Sequence, residues 1–166
     1  MSLEKNVYAP LGYDIDIAGA ADNYGASVNM KNAHKATFIC QYEDMGGADH
    51  VVKFYSGAAV STYSSTVPFK YSRSTAAASA VTTANANQGL MTAVTDVAAT
   101  GLTVANATYT DYLFVFEVDA SDMDIANGEE WLSIDFNDPG GATGRAIVVV
   151  ELEPRYADAT PASPLV

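Results

Sequence analysis

The chain reads as an all-β protein, a two-sheet antiparallel β-sandwich with an extended C-terminal arm. Three observations lead there. Apolar and polar residues alternate with period two in several short runs, Gly, Asn, Asp and Pro punctuate those runs, and no segment sustains a long helical stripe. About eight short strands result, a spacing that suits a sandwich, with a jelly roll favoured over an immunoglobulin-like topology.

The elements can be justified in chain order. Val7 to Ile17 opens with Tyr8-Ala-Pro-Leu-Gly-Tyr13 and then alternates Asp14, Ile15, Asp16 and Ile17, polar side out and apolar side in. Ser27 to Met30 is a short strand before a turn at Lys31 to His34, and Lys35 to Tyr42 is a longer strand ended by Glu43-Asp-Met-Gly-Gly47. His50 to Tyr55 follows and closes at Ser56-Gly57. Val67 to Tyr71 is a further strand, which Pro68 assigns to a sheet edge because proline has no ladder donor. Thr110 to Val118 is strongly extended. Trp131 to Phe136 places Trp131, Ser133 and Asp135 opposite Leu132, Ile134 and Phe136. The run Ala146 to Leu152 is rich in β-branched residues and reads as a fully buried final strand. The loop Asn137 to Gly144 is short enough to make the last two strands antiparallel neighbours.

At 166 residues the chain suits one domain: a sandwich over 1–152 with a low-charge insertion around 56–105, and an arm over 153–166. Formal charge is −12, from 8 Lys plus Arg against 20 Asp plus Glu. That opposes a broad electrostatic grip on nucleic acid or an anionic membrane. Charge is also unevenly spread. Residues 74–95 contain no charged side chain at all, and this Ala-, Ser- and Thr-rich stretch reads as loops and weak strands on a sandwich edge. The start has no signal-like apolar core, and no continuous apolar run is long enough to cross a bilayer. Cys40 is the single cysteine, so no internal disulfide forms, and the strand around it marks the thiol as buried. Folding in a reducing cytoplasm is the expectation.

Candidate chemistry is sparse. Asp119, Asp122 and Asp124, with Glu129 and Glu130 behind them, form the densest acid cluster. They do not follow the EF-hand pattern, and a solvated turn is favoured over a calcium site, with Asp119 or Ser121 capping a helical turn and Gly128 supplying a permissive dihedral. The three glycines of 137–144 lack both the Lys-Ser or Lys-Thr and the following helix of a phosphate loop. His34 and His50 have no ligand-like spacing with each other or with Cys40, so no metal or cofactor is expected. No serine or cysteine nucleophile has an apparent base, and the chain is not expected to be an enzyme. A hydrolase would need two of the carboxylates to share a cleft.

The ten tyrosines point elsewhere. A tyrosine offers a wide apolar face with one polar handle, which suits partly wet interfaces. Tyr8, Tyr13, Tyr24, Tyr63, Tyr71 and Tyr156 fall near strand ends, loops or the tail; the same residues would also serve a carbohydrate-binding module. The tail after the last strand carries Pro154, Arg155, Tyr156, Pro161, Pro164, Leu165 and Val166. Its prolines hold it extended and its apolar residues suit an arm laid on a neighbour. Tyr8, Tyr13 and these tail residues are the candidate interface.

Several of these segments carry a likeness. Tyr13-Asp-Ile-Asp-Ile17, His34-Lys-Ala-Thr-Phe-Ile39, Phe116-Glu-Val-Asp-Ala-Ser121, Trp131-Leu-Ser-Ile-Asp-Phe-Asn-Asp-Pro139 and Ala146-Ile-Val-Val-Val-Glu-Leu-Glu-Pro-Arg-Tyr156, in that order, resemble the auxiliary capsid proteins of tailed bacteriophages. These are small head proteins also called decoration or cement proteins. The resemblance spans most of the chain apart from 56–105 and is clearest at its end. It implies a non-enzymatic virion structural protein, made in the host bacterial cytoplasm and bound to the capsid exterior. Its partners would be the major capsid protein and further copies of itself, with a trimer favoured. A head-fibre or tail component is the related alternative.

Overall fold

The computed structural model describes residues 7–16, 23–78, 90–137 and 143–155. Among the described residues, twelve strands run in the order β1 (Val7–Asp16), β2 (Asn23–Tyr24), β3 (Val28–Asn29), β4 (Ala33–Gly46), β5 (His50–Gly57), β6 (Ser65–Val67), β7 (Phe69–Arg73), β8 (Thr95–Val97), β9 (Leu102–Val104), β10 (Leu113–Asp119), β11 (Trp131–Asn137) and β12 (Thr143–Pro154). One helical turn, Asn106–Tyr109, precedes β10, and two 3-10 turns, Ala120–Asp122 and Ile125–Asn127, join β10 to β11.

The strands form two antiparallel sheets. Sheet A has the order β1-β12-β4-β10-β7-β8, and sheet B the order β2-β11-β5-β6. In sheet B, β3 also pairs with β11 and β9 with β5. β2 and β3 thus act as one interrupted strand beside β11, and β6 and β9 as another beside β5. The expected all-β two-sheet fold is present.

Alternation drives the packing. From β4 the even residues Ala36, Phe38, Cys40 and Tyr42 point inward; from β10 come Phe114, Phe116 and Val118; from β12, Ala146, Val148, Val150 and Leu152. Sheet B answers with Val52 and Phe54 on β5 and with Leu132, Ile134 and Phe136 on β11. Phe54 is the pivot. Its ring lies 4.9 Å from Phe38, 4.9 Å from Phe69 and 6.0 Å from Phe116, all three on sheet A. The second inter-sheet knot is Tyr42 on β4, packed edge-on against Phe136 of β11 and 2.8 Å through its hydroxyl from His50 Nε2 on β5.

Three expectations need correction. The strands at 131–136 and 146–152 are not neighbours: β11 lies in sheet B beside β2 and β5, and β12 in sheet A between β1 and β4. A short connection between two strands can arch from one sheet to the other as readily as it closes a hairpin, and their partners decide which. The final strand is also not buried on both faces. Ala146, Val148, Val150 and Leu152 face the core, while Ile147 and Val149 are half-buried on the outer face. Lastly, 67–71 is not one edge strand. Pro68 separates β6, on the edge of sheet B, from β7, inside sheet A between β10 and β8. At this crossing point the missing proline N–H costs no ladder bond.

The described part of 74–95 agrees with its reading as weak strand at an edge. Ser74 bridges Met91, and β8 is the edge strand of sheet A. Residues 79–89, the central part of that stretch, lie outside the described residues.

Because Phe54 joins the sheets through three aromatic contacts, Phe54→Ala is expected to destabilise the fold by about 3–5 kcal/mol. Chemical denaturation with far-UV circular dichroism measures this. A loss below about 1 kcal/mol would mean that Phe54 is not the inter-sheet pivot.

Candidate functional site

The end of sheet A where β4 begins and β12 ends holds Pro154 and Arg155 of the sequence-predicted site residues. Pro154 closes β12, and the Arg155 backbone N–H donates to the Asn32 carbonyl at 2.7 Å, tying the end of β12 to the turn before β4. Tyr156, Pro161, Pro164, Leu165 and Val166 lie outside the described residues. Tyr8 and Tyr13 both fall in β1, the edge strand beside β12, where Tyr8 is paired in register with Glu151.

Beside Arg155 a cleft of about 530 Å³ is lined by His34, Lys35, Asp119, Asp124, Glu153 and Arg155 around an apolar floor that includes Met123 and Ile125. A smaller one of about 300 Å³ holds Lys70, Asp96, Glu117, Asp119 and Asp122. Asp119 lines both and sits 3.4 Å from Lys70 Nζ, while Lys35 Nζ lies 3.3 Å from Glu117. Asp124 accepts from Asn127 Nδ2 at 2.7 Å, and Glu130 pairs with Lys31 at 3.5 Å. Asp119, Asp124 and Glu130 are thus engaged with different cations or amides rather than with one another. Among the described residues, no three His, Cys, Asp or Glu side chains are grouped as metal ligands would be. Asp119 occupies the cap position of the first 3-10 turn without a side-chain capping bond, and Gly128 takes the left-handed conformation at φ 79° expected of it.

Glu129 departs from its neighbours. It is buried and accepts hydroxyl hydrogen bonds from Ser56 at 2.5 Å and Ser65 at 3.2 Å. The carboxylate thereby clasps the β5–β6 hairpin to the segment that enters β11.

The two histidines are far apart in environment. His34 is exposed at the start of β4, whereas His50 is fully buried against Tyr42 and Phe136. Cys40 lies in the same core, as expected of an inert thiol. Loss of solvation pushes the Cys40 thiol up from its ordinary value, and a Tyr42 hydrogen bond offsets part of that rise. The Tyr42 hydroxyl is raised too, first by burial and then by the charge and hydrogen bonding of Cys40.

Two outer faces complete the surface. On sheet B, Tyr24, Tyr55 and Tyr63 cluster over β2, β5 and the loop after Gly57. Tyr24 and Tyr63 are stacked with centroids 3.7 Å apart, and Tyr55 meets both edge-on. Below them Ser27 and Ser133 share a hydrogen bond of 2.8 Å, and the Ser61 N–H adds one to Ser27 at 3.0 Å. This cover buries Ser133 and Asp135 on the side of β11 away from the core. Gly57 permits it, because a Cβ there would overlap the Thr62 carbonyl.

On sheet A the cross-strand register sets Val149, Ile39 and Val115 side by side on β12, β4 and β10, with Ile147 and Leu113 flanking Gln41 in the next row. All five aliphatic side chains are half-buried on the face away from the core. This patch was missed from the sequence. Its signal was available: five consecutive apolar residues from Ala146 to Val150 supply apolar groups to both faces of a strand, and the sandwich core consumes only one. No protein family, curated protein or solved structure matches the chain.

The raised Cys40 and Tyr42 groups keep their protons when folded and ionise more easily when unfolded. Their stabilisation is full below the ordinary thiol value of 9.0 and is lost as pH rises beyond it, with tyrosine adding its part above 10.0. Stability measured by urea titration is expected to fall by up to about 1.4 kcal/mol per pH unit for each group. Cys40→Val is expected to flatten the slope just above pH 9, and an unchanged slope would contradict the burial of the thiol.

Proposed function

We propose that the protein is a non-enzymatic structural protein of a phage virion, a decoration or cement protein that binds the outside of the capsid and stabilises the shell. The observation that carries this reading is the aliphatic outer face of sheet A, formed by Ile39, Val115, Ile147 and Val149. A flat apolar sheet face suits a broad protein contact rather than a small substrate, which calls for an enclosed pocket with a few convergent polar groups. The arm leaves β12, which contributes Ile147 and Val149 to that face.

The sequence likeness to auxiliary head proteins supplies the identity of that surface, the major capsid protein. A shell offers the same contact many times, so weak attachment through each copy suffices once copies are clustered. The strongly negative charge suits an exterior position away from packaged DNA. For the fold we assign the jelly-roll topology. What supports it is the chain alternating between sheets so that β1, β12, β4 and β10 are adjacent in one and β2 with β3, β11, β5 and β6 in the other. β7 and β8 then extend the first sheet.

A carbohydrate-binding role draws on the Tyr24, Tyr55 and Tyr63 cluster. The Tyr24 and Tyr63 rings spend one face each on their mutual stack, which leaves less aromatic surface for a sugar than an open row would.

Co-sedimentation with purified phage heads lacking the protein tests the assignment. The intact chain is expected to pellet with heads and to raise their resistance to heat. Removal of 156–166, or Val149→Asp, is expected to reduce binding at least about tenfold while leaving the circular dichroism spectrum unchanged. Wild-type protein that stays in the supernatant, together with a clear glycan-array signal lost in Tyr63→Ala, would replace the capsid reading with the carbohydrate one.

A further inference from the structure

Sheet A ends in an edge that natural sheets usually protect. β8 pairs with β7 through Phe69–Val97, Lys70–Asp96 and Tyr71–Thr95. The chain before β8 continues along the same neighbour: Thr92 N–H donates to the Arg73 carbonyl at 2.8 Å, Ser74 bridges Met91, and Thr75 N–H donates to the Leu90 carbonyl at 2.9 Å. Residues 90–97 therefore line the rim from end to end, and among the described residues no strand pairs with their far side.

Edges of this kind are commonly guarded by lysine, proline or inward-pointing charge. Here the only charged residue between 90 and 97 is Asp96. Apolar exposure is concentrated at the same place. Four large hydrophobic side chains are exposed among the described residues, and three of them are Leu90 at 54%, Met91 at 38% and Val94 at 62%. An apolar, unguarded edge this compact marks a contact surface.

Charge identifies the occupant. Two copies of a chain carrying −12 repel wherever their acidic surfaces meet. The stretch 74–95, which leads into β8, carries no charge of either sign, so the rim at 90–95 lets two copies approach without opposed carboxylates. A cationic partner would gain nothing from a neutral rim and would be drawn to the acidic surface elsewhere.

We infer that the 90–97 edge is a self-association surface on which a second copy of the chain pairs edge to edge, antiparallel and about a twofold axis. Such a contact is isologous: the same Leu90, Met91 and Val94 face each other from both sides, and the two copies of sheet A become continuous. A twofold pair replaces the trimer that the family resemblance favours. The inference takes from the proposed function only that copies associate, and the two can fail separately, since mass in solution and binding to heads are different measurements.

Sedimentation equilibrium of the full chain is the test. Wild type is expected to show a concentration-dependent monomer–dimer equilibrium that tightens with added salt, because salt screens the repulsion between acidic bodies. Val94→Asp is expected to raise the dimer dissociation constant about tenfold or more, and Leu90→Asp to do the same. Val60→Asp, at an exposed apolar residue in the loop after β5, serves as the control and is expected to change nothing. At concentrations where wild type is monomeric, melting temperatures should stay at the wild-type value, as all three side chains are exposed; if one variant melts early there, the other rim variant decides. A wild type that remains monomeric at every concentration would overturn the inference. So would a dimer or trimer indifferent to both rim substitutions, or an association that weakens with salt.

Discussion

The packing of Phe54 against Phe38, Phe69 and Phe116 is the contact on which the rest of the molecule depends. Each sheet has one face that must be removed from water, and this cluster is where the two faces meet. Phe69 belongs to it only because the chain crosses sheets at Pro68, which turns β6 into β7. β7 in turn carries β8 and the rim at 90–97. Tyr42 and His50 form a second inter-sheet contact, joined by a buried hydrogen bond of 2.8 Å.

That division of labour between faces explains the surfaces. Sheet B closes its own outer face: the loop after Gly57 folds back, Tyr63 stacks on Tyr24, and Ser27 links that cover to Ser133. Sheet A leaves its outer face aliphatic at the centre, with ion pairs Lys35–Glu117 and Lys70–Asp119 to one side. Among the described residues, sheet B has a covered outer face, and sheet A has an aliphatic face and the β8 edge. The stretch 74–95, which leads into that edge, carries no charged side chain.

Much of the fold was legible because period-two alternation directly reports which side of a strand meets the core. The inward sets on β10 and β11 follow from Phe114, Phe116 and Val118 and from Leu132, Ile134 and Phe136. Sheet membership was not legible. A loop between two strands has the same composition whether it closes a hairpin or arches between sheets, so β11 and β12 looked like neighbours. The final strand misled for a different reason: β-branched residues on both faces read as double burial, yet Ile147 and Val149 are only half-buried. Of the candidate site, the turn at Gly128 was readable. The clasp of Ser56 and Ser65 on Glu129 was not, since those residues are distant in sequence and no local pattern joins them.

The central claim is that this sandwich is fastened to the outside of a phage head through sheet A. Cryo-electron microscopy of heads carrying the protein tests it most directly. The account predicts sandwich-shaped density on the outer surface, with the face bearing Ile39, Val115 and Val149 turned toward the shell. Heads without such density, or density attached through the sheet B tyrosine cluster with sheet A facing solvent, would contradict it.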